Sequence, residues 1–184
     1  MILKPGDIFC VTYDPAADEE GPSLLQTVLS LGIRGVECFN DVDGQAKLTH
    51  CGMIISPAGK TFEALWRYRN QNIYEAYGGQ PILIGRHCDM NERKFAAAHR
   101  EIVKQYGGEW YPAWKLPLFA LVPRLIKYLP GKPVCSELVL KEWVLAGCEG
   151  IDHWRGAMPS YVADIIRNWR YVKIVYEGIM PRNK

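Results

Sequence analysis

Several things are scarce in this chain of 184 residues, and each absence narrows its reading. No two of the six cysteines are spaced as CxxC, and a chain of this length has no need of disulfide staples, so reduced thiols are expected rather than a disulfide scaffold. No run of five Lys or Arg occurs, and a formal net charge of +2 is too small to imply a nucleic-acid partner. The start, Met1-Ile2-Leu3-Lys4-Pro5-Gly6-Asp7, lacks the basic and apolar regions of a secretory signal, and a cytoplasmic setting is the expectation. The most apolar stretch, from Trp110 to Pro133, is broken by Pro112, Pro117, Pro123, Pro130 and Arg124 well short of a membrane span, so no stable membrane insertion is expected. There is no internal repeat and no low-complexity segment.

What remains is ordinary globular composition, with 48% hydrophobic and 23% charged residues, in a length that suits one domain over 1–184. Gly6 to Tyr13 alternates as a strand, and Ser23 begins a short helix through Leu31. Cys51 to Ser56 and Thr61 to Trp66 read as a hairpin around Pro57-Ala58-Gly59-Lys60. Asn72 to Tyr77 and Pro81 to Ile84 read as further strands. A helix runs from Asn91 to about Tyr106, with Phe95, Ala98, Ile102, Val103 and Tyr106 on one stripe and His99 on its polar side. A last helix, Ser160 to Trp169, precedes a closing strand, Arg170 to Tyr176. The class is α+β, an antiparallel sheet with helices packed against it. Residues 110 to 133 read as a helical loop capping the core, with a lid over substrate or a membrane-touching patch as the alternatives.

Two motifs carry chemistry. Cys135 follows the helix-breaking Gly131-Lys132-Pro133 and opens a segment free of breakers until Gly147. A thiol in a helix's first turn sees the positive end of the dipole, which lowers its pKa and favours the thiolate. His50 opens an apolar strand, and a thiol with an imidazole in reach is a nucleophile with its base. A third group is needed to orient the imidazole. Glu63, among Phe62, Ala64 and Leu65 on the second hairpin strand, is the first choice, and Glu75 in Ile73-Tyr74-Glu75-Ala76 competes with it. Glu137 is read as supporting the first turn of the cysteine helix. The Cys135 N–H would meet an oxyanion, with the second donor unidentified. The rival reading is a metal site built from Cys38, His50-Cys51, His87-Cys88, Cys148 and His153, but no pair has the short spacing of a structural zinc site, and no metal or other cofactor is expected.

Lys4-Pro5-Gly6-Asp7-Ile8, His50-Cys51-Gly52-Met53-Ile54, Phe62-Glu63-Ala64 and Cys135-Ser136-Glu137-Leu138-Val139, in that order, resemble the circularly permuted branch of the NlpC/P60 papain-like superfamily, near its YiiX/YaeF-like group. The resemblance implies a permuted papain-like fold in which Cys135 is nucleophile, His50 base and Glu63 its orienting acid. It also implies a cysteine peptidase or amidase acting on a small or cell-wall-derived peptide through an acyl-cysteine. A more distant branch, the lecithin:retinol acyltransferase-like enzymes, implies the alternative of a lipid-directed acyltransferase or thioesterase, and a module that keeps the fold but only binds is the third reading. Cys51 departs from the pattern, as a second thiol beside the histidine.

Overall fold

The structure is a computed structural model that describes residues 1–12, 48–115, 118, 128 and 131–182. Six strands form one open antiparallel sheet: β1 (Ile8–Val11), β2 (His50–Ile54), β3 (Lys60–Ala64), β4 (Tyr68–Asn72), β5 (Pro81–His87) and β6 (Val172–Ile179), in spatial order β4-β3-β2-β1-β5-β6. Four α-helices accompany it among the described residues: α1 (Ile73–Tyr77), α2 (Glu92–Tyr106), α3 (Cys135–Leu145) and α4 (Pro159–Asn168). The α+β class and the antiparallel sheet match expectation. The helix read from Ser23 to Leu31 lies outside the described residues.

Strand alternation decides which side of the sheet each residue serves. On β1, Ile8 and Cys10 join Cys51, Met53 and Leu83 under α2, α3 and α4, where Trp143, Val162 and Ile166 complete the larger core. Phe9 and Val11 turn to a second core with Ile54, Ile73, Tyr77, Ile82 and Ile84, closed by α1. The central strand is therefore buried on both faces. The β2–β3 hairpin turns as the sequence indicates, with the Gly59 N–H donating to the Ser56 carbonyl at 3.1 Å and Gly59 at φ +82, a backbone conformation that glycine adopts without steric cost.

Asp7 in the Lys4-Pro5-Gly6-Asp7 motif is fully buried and accepts from Arg86 Nε at 2.6 Å and Nη2 at 2.7 Å, a bidentate clamp that ties the chain's beginning to β5. Trp143 Nε1 donates to the Gly6 carbonyl at 3.0 Å, so the same turn is held against α3.

Two expectations are corrected. Asn72 to Tyr77 is not a strand: β4 occupies Tyr68–Asn72, and Asn72 then caps α1 by accepting the Tyr74 N–H at 3.0 Å. The β-branched and aromatic run Ile73-Tyr74 gave a strand signal, but the Asn side chain decides the local conformation. His99 is not on a solvated face. It stacks on Phe95 at 5.0 Å, meets Phe62 edge-on and has Nδ1 3.4 Å from the buried Glu142. Its helix packs that side against α3, while Val103, placed on the apolar stripe, is exposed.

Candidate active site

The site assembles where the start of β2, the middle of β3 and the start of α3 meet. Glu63 pairs across the hairpin with Gly52, two residues beyond His50, so Glu63 is the diagonal neighbour of the histidine on the same face. Gly52 makes this approach sterically open: a Cβ there would lie 2.4 Å from the Phe9 ring and 2.8 Å from Glu63 Cγ. His50 Nε2 lies 2.8 Å from Glu63 Oε2. The carboxylate also accepts from the Thr61 hydroxyl on Oε1 and the Tyr77 hydroxyl on Oε2, each at 2.5 Å. A fully buried carboxylate thus has three hydrogen-bond partners, which offset the cost of removing it from water.

Cys135 is the first residue of α3 and is buried. Val134 offers no capping side chain; instead Glu137, three residues on, accepts the Val134 N–H at 3.0 Å and closes the helix start. Ser136 fastens the same turn by donating its hydroxyl to the Ala157 carbonyl at 2.7 Å. Burial acts to raise the thiol's pKa, but the hydrogen bond and charge of His50, joined by the backbone N–H groups of Cys51 and Ser136, bring it below the ordinary value. Burial likewise acts to lower His50, and there the hydrogen bonds and negative charge of Cys135 and Glu63 prevail, pushing it up to about 10. With Nε2 given to Glu63, Nδ1 is the ring nitrogen left for the sulfur. Both shifts point to one state, a thiolate beside an imidazolium.

The Cys51 N–H meets the sulfur from the end of the β2–β3 ladder. The β2–β3 ladder runs from Ile54↔Thr61 to Gly52↔Glu63 and ends there, before Cys51. Beside the thiol stands Tyr111, its hydroxyl toward the Cys135 N–H, and burial raises its pKa well above the usual phenol value. Tyr68 closes the rear by donating to the Pro133 carbonyl at 2.5 Å, and burial raises its pKa as well. Cys135 N–H and the Tyr111 hydroxyl together form a polar pair beside the sulfur.

The structure therefore brings Cys135, His50 and Glu63 together. It does not bring Glu75 to them: that residue sits exposed on α1 rather than on a strand. Glu137 supports the first helical turn, as expected. Sequence reasoning missed Thr61, although it lies two residues before Glu63 on the same face, a spacing that was available as a signal. It gave Tyr77 no role at the site and had no signal for Tyr111, which reaches the thiol through tertiary packing.

The metal alternative finds one group among the described residues, His87, Cys88 and Asp89, with donor atoms within 4.8 Å of one another. Both His87 nitrogens are already engaged, Nδ1 by the Asp89 N–H at 3.2 Å and Nε2 by the Glu149 carbonyl at 3.0 Å, and burial lowers its pKa. His87 is moreover the buried end of β5. Cys38 lies outside the described residues. Neither a family model, nor a curated protein, nor a solved structure matches this chain.

Proposed function

We propose that the protein is a cysteine hydrolase of permuted papain-like type, cleaving an amide bond in a small or cell-wall-derived peptide. The observation that carries this reading is the buried Cys135–His50–Glu63 alignment, with the thiol below and the imidazole above their ordinary pKa values. The Cys135 thiolate attacks the carbonyl carbon, forming the C–S bond as the carbonyl π electrons move to oxygen. In this reading the Tyr111 hydroxyl, beside the Cys135 N–H, donates to that oxyanion. The His50 imidazolium gives its proton to the departing amine as the C–N bond breaks, leaving an acyl-Cys135. Water, losing a proton to His50, then attacks the acyl carbon and releases the acid and the thiolate. Glu63 keeps the ring oriented and supports its charge throughout.

The test is turnover of peptide and acyl-ester libraries by the parent and by Cys135→Ala, with intact mass following any acyl adduct. Turnover that is lost in the variant, with an adduct on the Cys135 peptide of the parent, supports the reading. Full activity in folded Cys135→Ala sinks it.

A second reading, acyl transfer or thioester cleavage on a lipid substrate, draws on an apolar cluster next to the nucleophile, where Val134 packs with Tyr111, Leu118 and Met158. Trp110 and Trp114 are exposed on the same stretch of chain. Preference for long-chain esters that disappears in Leu118→Ser would favour it. Indifference to chain length would leave the peptide reading.

A further inference from the structure

A second carboxylate is buried two residues past the thiol, and the hydrolytic scheme above does not use it. Glu137 is fully buried, with Oε2 accepting the Val134 N–H at 3.0 Å and lying 3.3 Å from Lys115 Nζ, and Oε1 accepting the Gly156 N–H at 2.8 Å. Lys115 is itself 0% exposed, at the end of the short 3₁₀ turn Ala113–Lys115 that follows Tyr111. Two backbone N–H groups, from the approach to α3 and the loop at Gly156, and one side-chain ammonium, from the turn after Tyr111, thus converge on one carboxylate.

Taking two charges out of water is costly, and a buried ion pair is weak support for stability on its own. Its position suggests another role. A carboxylate in the first turn of α3 is a like charge to a thiolate at the helix start and opposes its formation. The titratable groups around Cys135 are His50 from β2, backed by Glu63 from β3 and Tyr77 from α1, with Tyr68 from β4 and Tyr111; Glu137 shares the first turn of α3 with the thiol and brings Lys115 with it. Burial keeps the phenols of Tyr68 and Tyr111 protonated and uncharged. His50 and Glu63 are balanced by one another. Glu137 is then the uncompensated negative charge near the sulfur unless Lys115 is beside it.

We infer that Lys115 is a positioning residue: its buried ion pair with Glu137 neutralises the carboxylate next to Cys135 and fastens the turn that holds Tyr111 against the nucleophile. This rests on the reading of Cys135 as an activated thiol. Glu137 can then anchor the helix start without suppressing the thiolate.

The experiment measures iodoacetamide labelling of Cys135 against pH, resolved by peptide mass spectrometry, in the full chain. The parent is compared with Lys115→Met, Glu137→Gln and the double variant, with circular dichroism reporting the fold. In Lys115→Met, labelling at about pH 6 is expected to fall about tenfold, the change that accompanies about one unit in the thiol midpoint. In Glu137→Gln labelling at that pH should rise, and the double variant should return to within about threefold of the parent. Folded Lys115→Met that labels like the parent overturns the inference. If Lys115→Met does not fold, the sign in Glu137→Gln decides, because a purely structural carboxylate predicts slower labelling there, and equal or slower labelling overturns the inference. An ordinary thiol profile in the parent would instead overturn the nucleophile reading itself, and this inference with it.

Discussion

His50 and Glu63 are joined at 2.8 Å through Nε2 and Oε2 on neighbouring strands, one step diagonal to the pair Gly52↔Glu63. The histidine's reactive face is thereby set by sheet register rather than by a loop. Replacing Glu63 with Gln keeps the shape but removes the charge that favours imidazolium. Turnover should fall by about 10²- to 10⁴-fold, with slower Cys135 labelling below neutral pH. Unchanged labelling would show that Glu63 does not support the ion pair.

The two pKa shifts set a pH window for stability. His50, raised from 6.5 to about 10, contributes stability that is complete below 6.5 and lost as pH rises through about 10. Cys135, lowered from 9.0, contributes stability present above 9.0 and lost as pH falls through its folded value. Between 6.5 and 9.0 the pair holds one proton in both folded and unfolded chains, so the opposing slopes cancel. The pair's stabilisation is therefore flat across that interval, declines above pH 9.0 towards 10, and declines as pH falls below 6.5. Urea titrations of the parent and His50→Gln should give a stability difference with this plateau. A steady slope between 6.5 and 9.0 would contradict the paired state.

Tyr77→Phe removes one donor from the Glu63 carboxylate while leaving the ring in its core. A loss of about 1–3 kcal/mol is expected, because a buried acceptor gives up a partner. Thermal or urea unfolding measures it, and a neutral result would mean that the hydroxyl is not bound to the acid in solution.

Gly52→Ala places a methyl 2.4 Å from the Phe9 ring and 2.8 Å from Glu63 Cγ. The ring is held in a filled core, so overpacking should cost about 1–3 kcal/mol and displace the carboxylate from His50. Slower labelling of Cys135 together with the stability loss is the expected pair of results. Destabilisation with parent-like labelling would show that only Phe9 gives way.

Tyr111→Phe keeps the packing at the nucleophile but removes the hydroxyl beside the Cys135 N–H. The turnover number should fall by about 10- to 10³-fold while the labelling midpoint of Cys135 stays close to that of the parent. A midpoint displaced as far as the rate would assign Tyr111 to thiolate formation rather than to the oxyanion.

Local signals carried much of this. The hairpin could be read because Pro57-Ala58-Gly59 separates two apolar runs, and α3 because Gly131-Lys132-Pro133 excludes a helix before Cys135. His50, Cys135 and Glu63 were each legible as a residue type on an element of known period. What was not legible depends on contacts between distant elements: Tyr111 on the Cys135 N–H, Lys115 on Glu137, and His99 turned to Glu142 between two phenylalanines. The strand assigned to Ile73–Tyr77 failed for a local reason, since the Asn72 cap competes with the β preference of Ile73 and Tyr74.

If Cys135 is the nucleophile proposed above, the convergence of β2, β3 and α3 also fixes when this chain acquires a reactive sulfur. During synthesis His50 and Glu63 leave the ribosome long before Cys135, so the partners exist well ahead of the group they activate. Until α3 docks on the sheet, Cys135 is an unremarkable thiol with a pKa near 9.0. On the proposed reading, reactivity is a product of completed assembly, and a nascent or unfolded chain carries no premature nucleophile. Urea-unfolded protein should label at Cys135 with that ordinary profile, and refolding alone should restore the fast reaction below neutral pH.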